Sequence, residues 1–125
     1  MKILVVEDLL IMRRVIVNAL NALGYEEVFA ADGGDTALEI MEEENIEFLV
    51  TDWLMPGMDG IELVKHVRNN PKYQNLPIIM LTSMTDKNNV REALNAKVDD
   101  YVIKPFTIET LKLKIMTLKM KYNIF

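Results

Sequence analysis

The stretch FLVTDWLMPGMDG, residues 48–60, decides the fold. Phe48, Leu49 and Val50 form a short apolar run that ends on a lone carboxylate, Asp52. Pro56 and Gly57 break regular structure, and Asp59 and Gly60 open a helical pattern. This order describes a buried strand that delivers an acid to its C-terminal edge and leaves through a loop. In open parallel α/β sheets that edge is where ligands bind.

Three more runs end the same way. Ile3 to Val6 leads into Glu7 and Asp8, Ile78 to Leu81 into Thr82, and Tyr101 to Ile103 into Lys104. If these strands are parallel neighbours, three carboxylates, a hydroxyl and an ammonium converge on one rim. Strand-length runs alternate with segments of helical period about five times, which implies βαβ units, a parallel sheet and helices on both faces. The expected strands are 2–6, 27–31, 47–52, 77–82 and 100–103, with the second at an edge. The expected helices are 9–23, 34–44, 59–69, 87–96 and one that follows an N-cap at Thr107. Val15, Ile16, Ala19, Leu20 and Leu23 form the core stripe of the first helix, and Gly24 its C-cap. Asp59 with Glu62 resembles a capping box. The fourth helix has only a thin apolar face of Val90, Ala93 and Leu94.

Composition narrows the class. The 125 residues fit one domain, 1–125, and half of them are hydrophobic. There is no cysteine, so disulfides and thiolate metal sites are excluded, which fits the cytoplasm. The leading MKILVVED turns acidic too soon for a signal peptide, and no run approaches the ~18 apolar residues of a membrane span. Residues 1–60 carry 3 basic and 13 acidic side chains, and residues 61–125 carry 11 and 6. The acidic half argues against direct nucleic-acid binding.

The rim residues suit phosphoryl transfer. Glu7, Asp8 and Asp52 are too many like charges to sit together unneutralised. A hard divalent ion such as Mg²⁺ suits carboxylate and carbonyl oxygens. Lys104 adds positive charge, and Thr82 offers a hydroxyl to an oxyanion. Such a set can support attack by an aspartyl nucleophile on phosphorus. A plain ion-pair cluster would explain any one of these residues, but less easily four strand ends in this order.

The fragments LVVED at 4–8, MRR at 12–14, DW-x-MP at 52–56, MDG at 58–60, LTS at 81–83 and YVIKPF at 101–106 together resemble the receiver domains of bacterial response regulators, most of all the single-domain chemotaxis regulators. The resemblance implies a flavodoxin-like (βα)5 fold with a five-stranded parallel sheet of order 2-1-3-4-5. It implies phosphorylation of Asp52 by a sensor histidine kinase of the chemotaxis type. Mg²⁺ would be bound by Asp8, Asp52 and the Leu54 backbone carbonyl, with Glu7 acting through water. Lys104, Leu54 and Ser83 would contact the phosphoryl group, and the Lys104–Pro105 bond would be cis. Thr82 and Tyr101 would form a switch pair that alters the strand four–helix four–strand five–helix five face for a target such as a flagellar motor switch protein.

Three positions depart from the pattern. Leu54 stands where chemotaxis regulators carry asparagine, Met84 replaces a polar residue, and Lys97 occupies a position that is usually glycine. The first two bear on the lifetime of the phosphorylated state. The third bears on its loop, because lysine disfavours φ > 0. The same motifs would also suit a receiver joined to a DNA-binding output domain, or a pseudo-receiver that needs no phosphate. An aspartyl-nucleophile phosphatase is disfavoured, because Leu54 stands where its second aspartate belongs.

In helix five, Ile108, Leu111, Ile115, Leu118 and Tyr122 form one stripe at the helical period, suited to the sheet. Leu113, Met116 and Met120 form a second, about 150° away. Helix five is therefore a candidate partner or homodimer surface.

Overall fold

The computed structural model describes residues 1–124. Strands β1 (Ile3–Val6), β2 (Val28–Ala31), β3 (Phe48–Thr51), β4 (Ile78–Thr82) and β5 (Asp100–Ile103) alternate with helices α1 (Leu10–Ala22), α2 (Gly34–Glu43), α3 (Gly60–Asn69), α4 (Lys87–Asn95) and α5 (Ile108–Lys121). All four pairings are parallel, in the order β2-β1-β3-β4-β5. The fold is therefore the flavodoxin-like one expected, with boundaries within two residues. A single 3₁₀ turn, Pro71–Tyr73, was not anticipated; Asn70 caps it by accepting from the Lys72 N–H.

Side chains alternate across the pleat, so each strand serves two cores. Leu4, Val6, Leu49, Ile78 and Met80 face α2 and α3, while Ile3, Val5, Phe48, Val50, Ile79, Leu81 and Val102 face α1 and α5. Strands β1, β3 and β4 are buried throughout, as parallel strands covered on both faces must be. The register sets Val6 beside Thr51. Hydrogen bonding continues past the strand ends, with the Asp52 N–H donating to the Val6 carbonyl and the Lys104 N–H to that of Thr82. Glu7, Asp52 and Lys104 thereby reach the same rim.

The helices follow the expected caps. The Thr107 side chain accepts from the Thr110 N–H and that of Asp59 from the Glu62 N–H. Gly24, at φ 97°, closes α1. Two core assignments need correction. Val15 is 46% exposed and Ile108 also 46%. Each lies at the flank of its stripe, beyond the width the sheet covers. Leu111, Ile115 and Leu118 are buried as expected, and Leu113, Met116 and Met120 are exposed. In α4 only Ala93 is buried.

Lys97 adopts φ 73°. Its N–H donates to the Leu94 carbonyl and that of Val98 to the Ala93 carbonyl, which together make a Schellman end to α4. Lysine pays about 1–2 kcal/mol in this conformation, and Arg68 supplies the restraint. Its guanidinium donates to the Lys97 carbonyl through Nε (3.1 Å) and Nη2 (2.8 Å), to the carbonyls of Tyr73, Gln74 and Leu76 through Nη1, and to Asp99 Oδ2 at 3.2 Å. Asp99 also accepts from the Ile78 N–H, Lys121 and the Tyr122 hydroxyl. Both partners of this ion pair are less than a tenth exposed.

Removing one partner of a buried, hydrogen-bonded pair leaves the other charge stranded. Arg68→Ala is therefore expected to lower unfolding free energy by about 3–5 kcal/mol in urea titrations. Lys97→Gly, at the same bend, should raise it by roughly 1 kcal/mol. A destabilised Lys97→Gly variant would show that the lysine side chain, not the clamp, holds the turn.

Candidate functional site

The C-terminal edge of the sheet gathers the carboxylates of Glu7, Asp8 and Asp52, one oxygen of each within 4.8 Å of the others. Among the described residues this is the group of acids close enough to share a cation. Asp8 is half-buried, while Glu7 is fully buried and Asp52 nearly so. Such an arrangement follows from the register: β1 and β3 are adjacent and end level, so the residues just past them cannot diverge.

Lys104 neutralises the rim. Its Nζ donates to Glu7 Oε1 at 2.7 Å and to Asp52 Oδ2 at 3.1 Å. The other Asp52 oxygen, Oδ1, accepts from the Trp53 N–H at 2.7 Å. The Asp52 carboxylate is thus oriented at both oxygens. Glu7 Oε2 is buried and has no hydrogen-bond partner. Leaving such an oxygen unpaired is costly, so this atom marks a place where a proton, a water or a cation belongs. Three carboxylates of this kind are the donor set that a hard divalent ion takes.

Burial pushes the Glu7 carboxyl up from 4.5 to about 7; the hydrogen bond from Lys104 opposes this, and contact with Asp52 adds to it. Burial alone would pull the Lys104 ammonium down, but the hydrogen bond to Glu7 and the charge of Asp52 outweigh it and leave it raised. Burial raises the Tyr101 hydroxyl, with a contribution from Asp52.

The remaining expected residues lie nearby in different settings. Thr82 is buried, and its hydroxyl accepts only a long contact, 3.5 Å, from the Met84 N–H. Ser83 is exposed, and the Leu54 side chain is 60% exposed. Tyr101 is half-buried, with its hydroxyl donating to the Met84 carbonyl at 2.7 Å. The Lys104–Pro105 peptide is cis. Arg13, part of the MRR motif, donates from its guanidinium to the Glu7 carbonyl at 2.9 Å and so ties α1 to the acidic turn, a contact the motif alone does not reveal. Its spacing of six residues from Glu7, on the first turn of a helix, was the signal available. His66 is exposed on α3, as a solvated histidine should be.

The Glu7 shift has a measurable consequence. Between pH 4.5 and about 7 the folded chain keeps a proton that the unfolded chain releases, so stability falls as pH rises through that window. Lys104 stays protonated throughout and does not reverse the sign. In chelator, thermal unfolding of the wild type should weaken from pH 5 to pH 7.5, and Glu7→Gln should flatten the profile. Equal slopes for the two proteins would contradict the assignment.

Comparison with known proteins agrees with this geometry. The model of the response regulator receiver domain matches residues 3–116. The chemotaxis protein CheY of Pseudomonas aeruginosa is 45% identical over 123 residues, covering 98% of this chain and 99% of that protein. A CheY homolog of Campylobacter jejuni is 47% identical over 116 residues, covering 92% and 89%. The structure of Vibrio cholerae chemotaxis protein CheY4 superposes with a TM-score of 0.88 at 32% identity, covering 94% of this chain and 97% of that one. With strands in the order 2-1-3-4-5 and the acid pair, lone aspartate, threonine and lysine at their ends, this chain belongs to the response regulator receiver domain family.

Proposed function

We propose that the protein is a phosphorylation-activated switch of a two-component system, working in chemotaxis as its relatives' names say of them. The observation that carries this reading is Lys104 Nζ lying within hydrogen-bond reach of both Glu7 and Asp52. A cation beside a carboxylate oriented at both oxygens supports Asp52 as the nucleophile. The phosphodonor is a sensor histidine kinase of the chemotaxis type, and the place of action is the cytoplasm. No described helix is long and apolar enough to cross a membrane.

Asp52 Oδ2 attacks phosphorus, and the bond from phosphorus to the donor histidine nitrogen breaks as the acyl phosphate forms. The Trp53 N–H holds Oδ1 and so aims the attacking oxygen. Lys104 follows the negative charge from the carboxylate to the phosphoryl oxygens, and Thr82 and Ser83 supply hydroxyl donors to them. Asp8, Asp52 and the Leu54 carbonyl would hold Mg²⁺, with Glu7 acting through water. When bound, the ion supplies positive charge to the transferring group. The protein modifies itself and turns over no metabolite.

The Thr82 hydroxyl, drawn to the phosphoryl group, and the Tyr101 ring, released from Met84, carry the change to β4–α4–β5–α5. That face exposes Leu94, Ile103, Leu113, Met116 and Met120, and α5 surrounds its part with Lys112, Lys114, Lys119 and Lys121. Apolar residues rimmed by lysines suit an acidic partner, such as a flagellar motor switch protein. A second copy of this chain is the alternative occupant.

With Mg²⁺ and acetyl phosphate, the wild type should gain one acid-stable but hydroxylamine-sensitive phosphate, seen by intact mass. Asp52→Asn should gain none, and Asp8→Ala should lose Mg²⁺ affinity and phosphorylation together. Labelling of Asp52→Asn at the wild-type rate would sink the reading.

A second measurement addresses the face. Leu113→Glu with Met116→Glu should leave phosphorylation intact and abolish either capture of the motor switch protein or self-association in sedimentation. Wild-type behaviour in both would make the stripe ordinary surface.

A further inference from the structure

Gly60 opens α3 directly against the phosphoacceptor's backbone. A methyl group on its Cα would stand 2.1 Å from the Asp52 carbonyl oxygen, 2.8 Å from the Trp53 Cα and 3.0 Å from the Asp52 carbonyl carbon. All three are main-chain atoms, so no flexible side chain can turn aside. The Gly60 N–H donates to the Trp53 carbonyl at 2.7 Å. The loop of residues 54–59 is thus closed at its neck, where the chain leaving β3 touches the chain entering α3.

The same loop is pinned near its far end. A methyl group on Gly34, the first residue of α2, would meet the Met58 side chain at 2.6–2.8 Å. Met58 therefore occupies the space that a side chain at 34 would fill. Between these two contacts lies Leu54, whose carbonyl is a candidate Mg²⁺ ligand.

We infer that Gly60 is a positioning residue for the site: its bare Cα seats α3 against the Asp52–Trp53 peptide, and that seat fixes the Asp52 carboxylate and the Leu54 carbonyl. The link to Asp52 is short, because the Trp53 N–H that holds Oδ1 belongs to the peptide pressed by Gly60. Any side chain at 60 displaces this peptide and moves the carboxylate relative to Lys104 and Asp8, although every functional group remains present. This inference rests on the proposed phosphorylation and Mg²⁺ binding.

The test compares Gly60→Ala with Leu118→Ala, a core change on α5 across the sheet, at a temperature where circular dichroism shows both folded. Mg²⁺ is titrated by Trp53 fluorescence, and phosphorylation is followed with acetyl phosphate. Gly60→Ala should bind Mg²⁺ and accept phosphate at least about tenfold more weakly and slowly, as loss of a supporting contact does. Leu118→Ala should lower the melting temperature but stay within about twofold of wild type in both, because cores on separate faces act independently. Equal effects in the two variants, or wild-type values in Gly60→Ala, would overturn the inference. If Gly60→Ala fails to fold, Met58→Ala decides: weaker Mg²⁺ binding with a native melting profile supports the pinned loop, and unchanged binding overturns it. A wild type that takes neither Mg²⁺ nor phosphate would instead refute the functional reading. In that case the amide resonances of Asp52, Trp53 and Leu54 in metal-free Gly60→Ala still report whether the peptide moved; unshifted resonances would overturn the positioning role.

Discussion

The ammonium of Lys104 holds the acidic rim together. Glu7 and Asp52 follow directly on adjacent strands and are buried, and two carboxylates so placed repel strongly in a medium of low dielectric. One lysine, anchored at the end of β5 with its backbone N–H on the Thr82 carbonyl, answers both. The rest of the fold serves this contact. The sheet order puts β3 and β4 between β1 and β5, so the lysine must reach across two strands. Parallel register keeps every strand end at one level, which makes the reach possible. The site is therefore a property of the whole sheet.

This dependence explains what was legible in the sequence. Continuous apolar runs such as Ile3–Val6 and Ile78–Leu81 announce strands buried on both faces, and their polar ends mark the rim. The helices were readable because Thr107, Asp59 and Gly24 punctuate them. The identity of the site residues came largely from family resemblance; spacing alone left an inert ion-pair cluster open.

What was not legible depends on contacts between distant segments. The pairing of Glu7 with Lys104 joins residues 97 positions apart, and no local pattern reports the buried oxygen that it leaves unmatched. Helical period named Val15 and Ile108 as core, because periodicity gives direction but not the width of the surface that covers a helix. Lys97 looked unfit for a left-handed turn because its compensation lies in Arg68, on another helix. Gly60 read only as part of a motif, since its reason is a peptide eight residues earlier pressed against its Cα.

The Arg68 clamp has a consequence for how this chain can change over generations. Its guanidinium grips main-chain carbonyls at Tyr73, Gln74, Leu76 and Lys97, and a carbonyl is the same in every amino acid. Gln74 and Lys97 themselves are exposed. Mutational drift can rewrite such positions without disturbing the connection, provided that Arg68 and Asp99 stay. A pair of fixed residues thus frees a stretch of surface, at the end of the sheet remote from the acidic rim, to diversify.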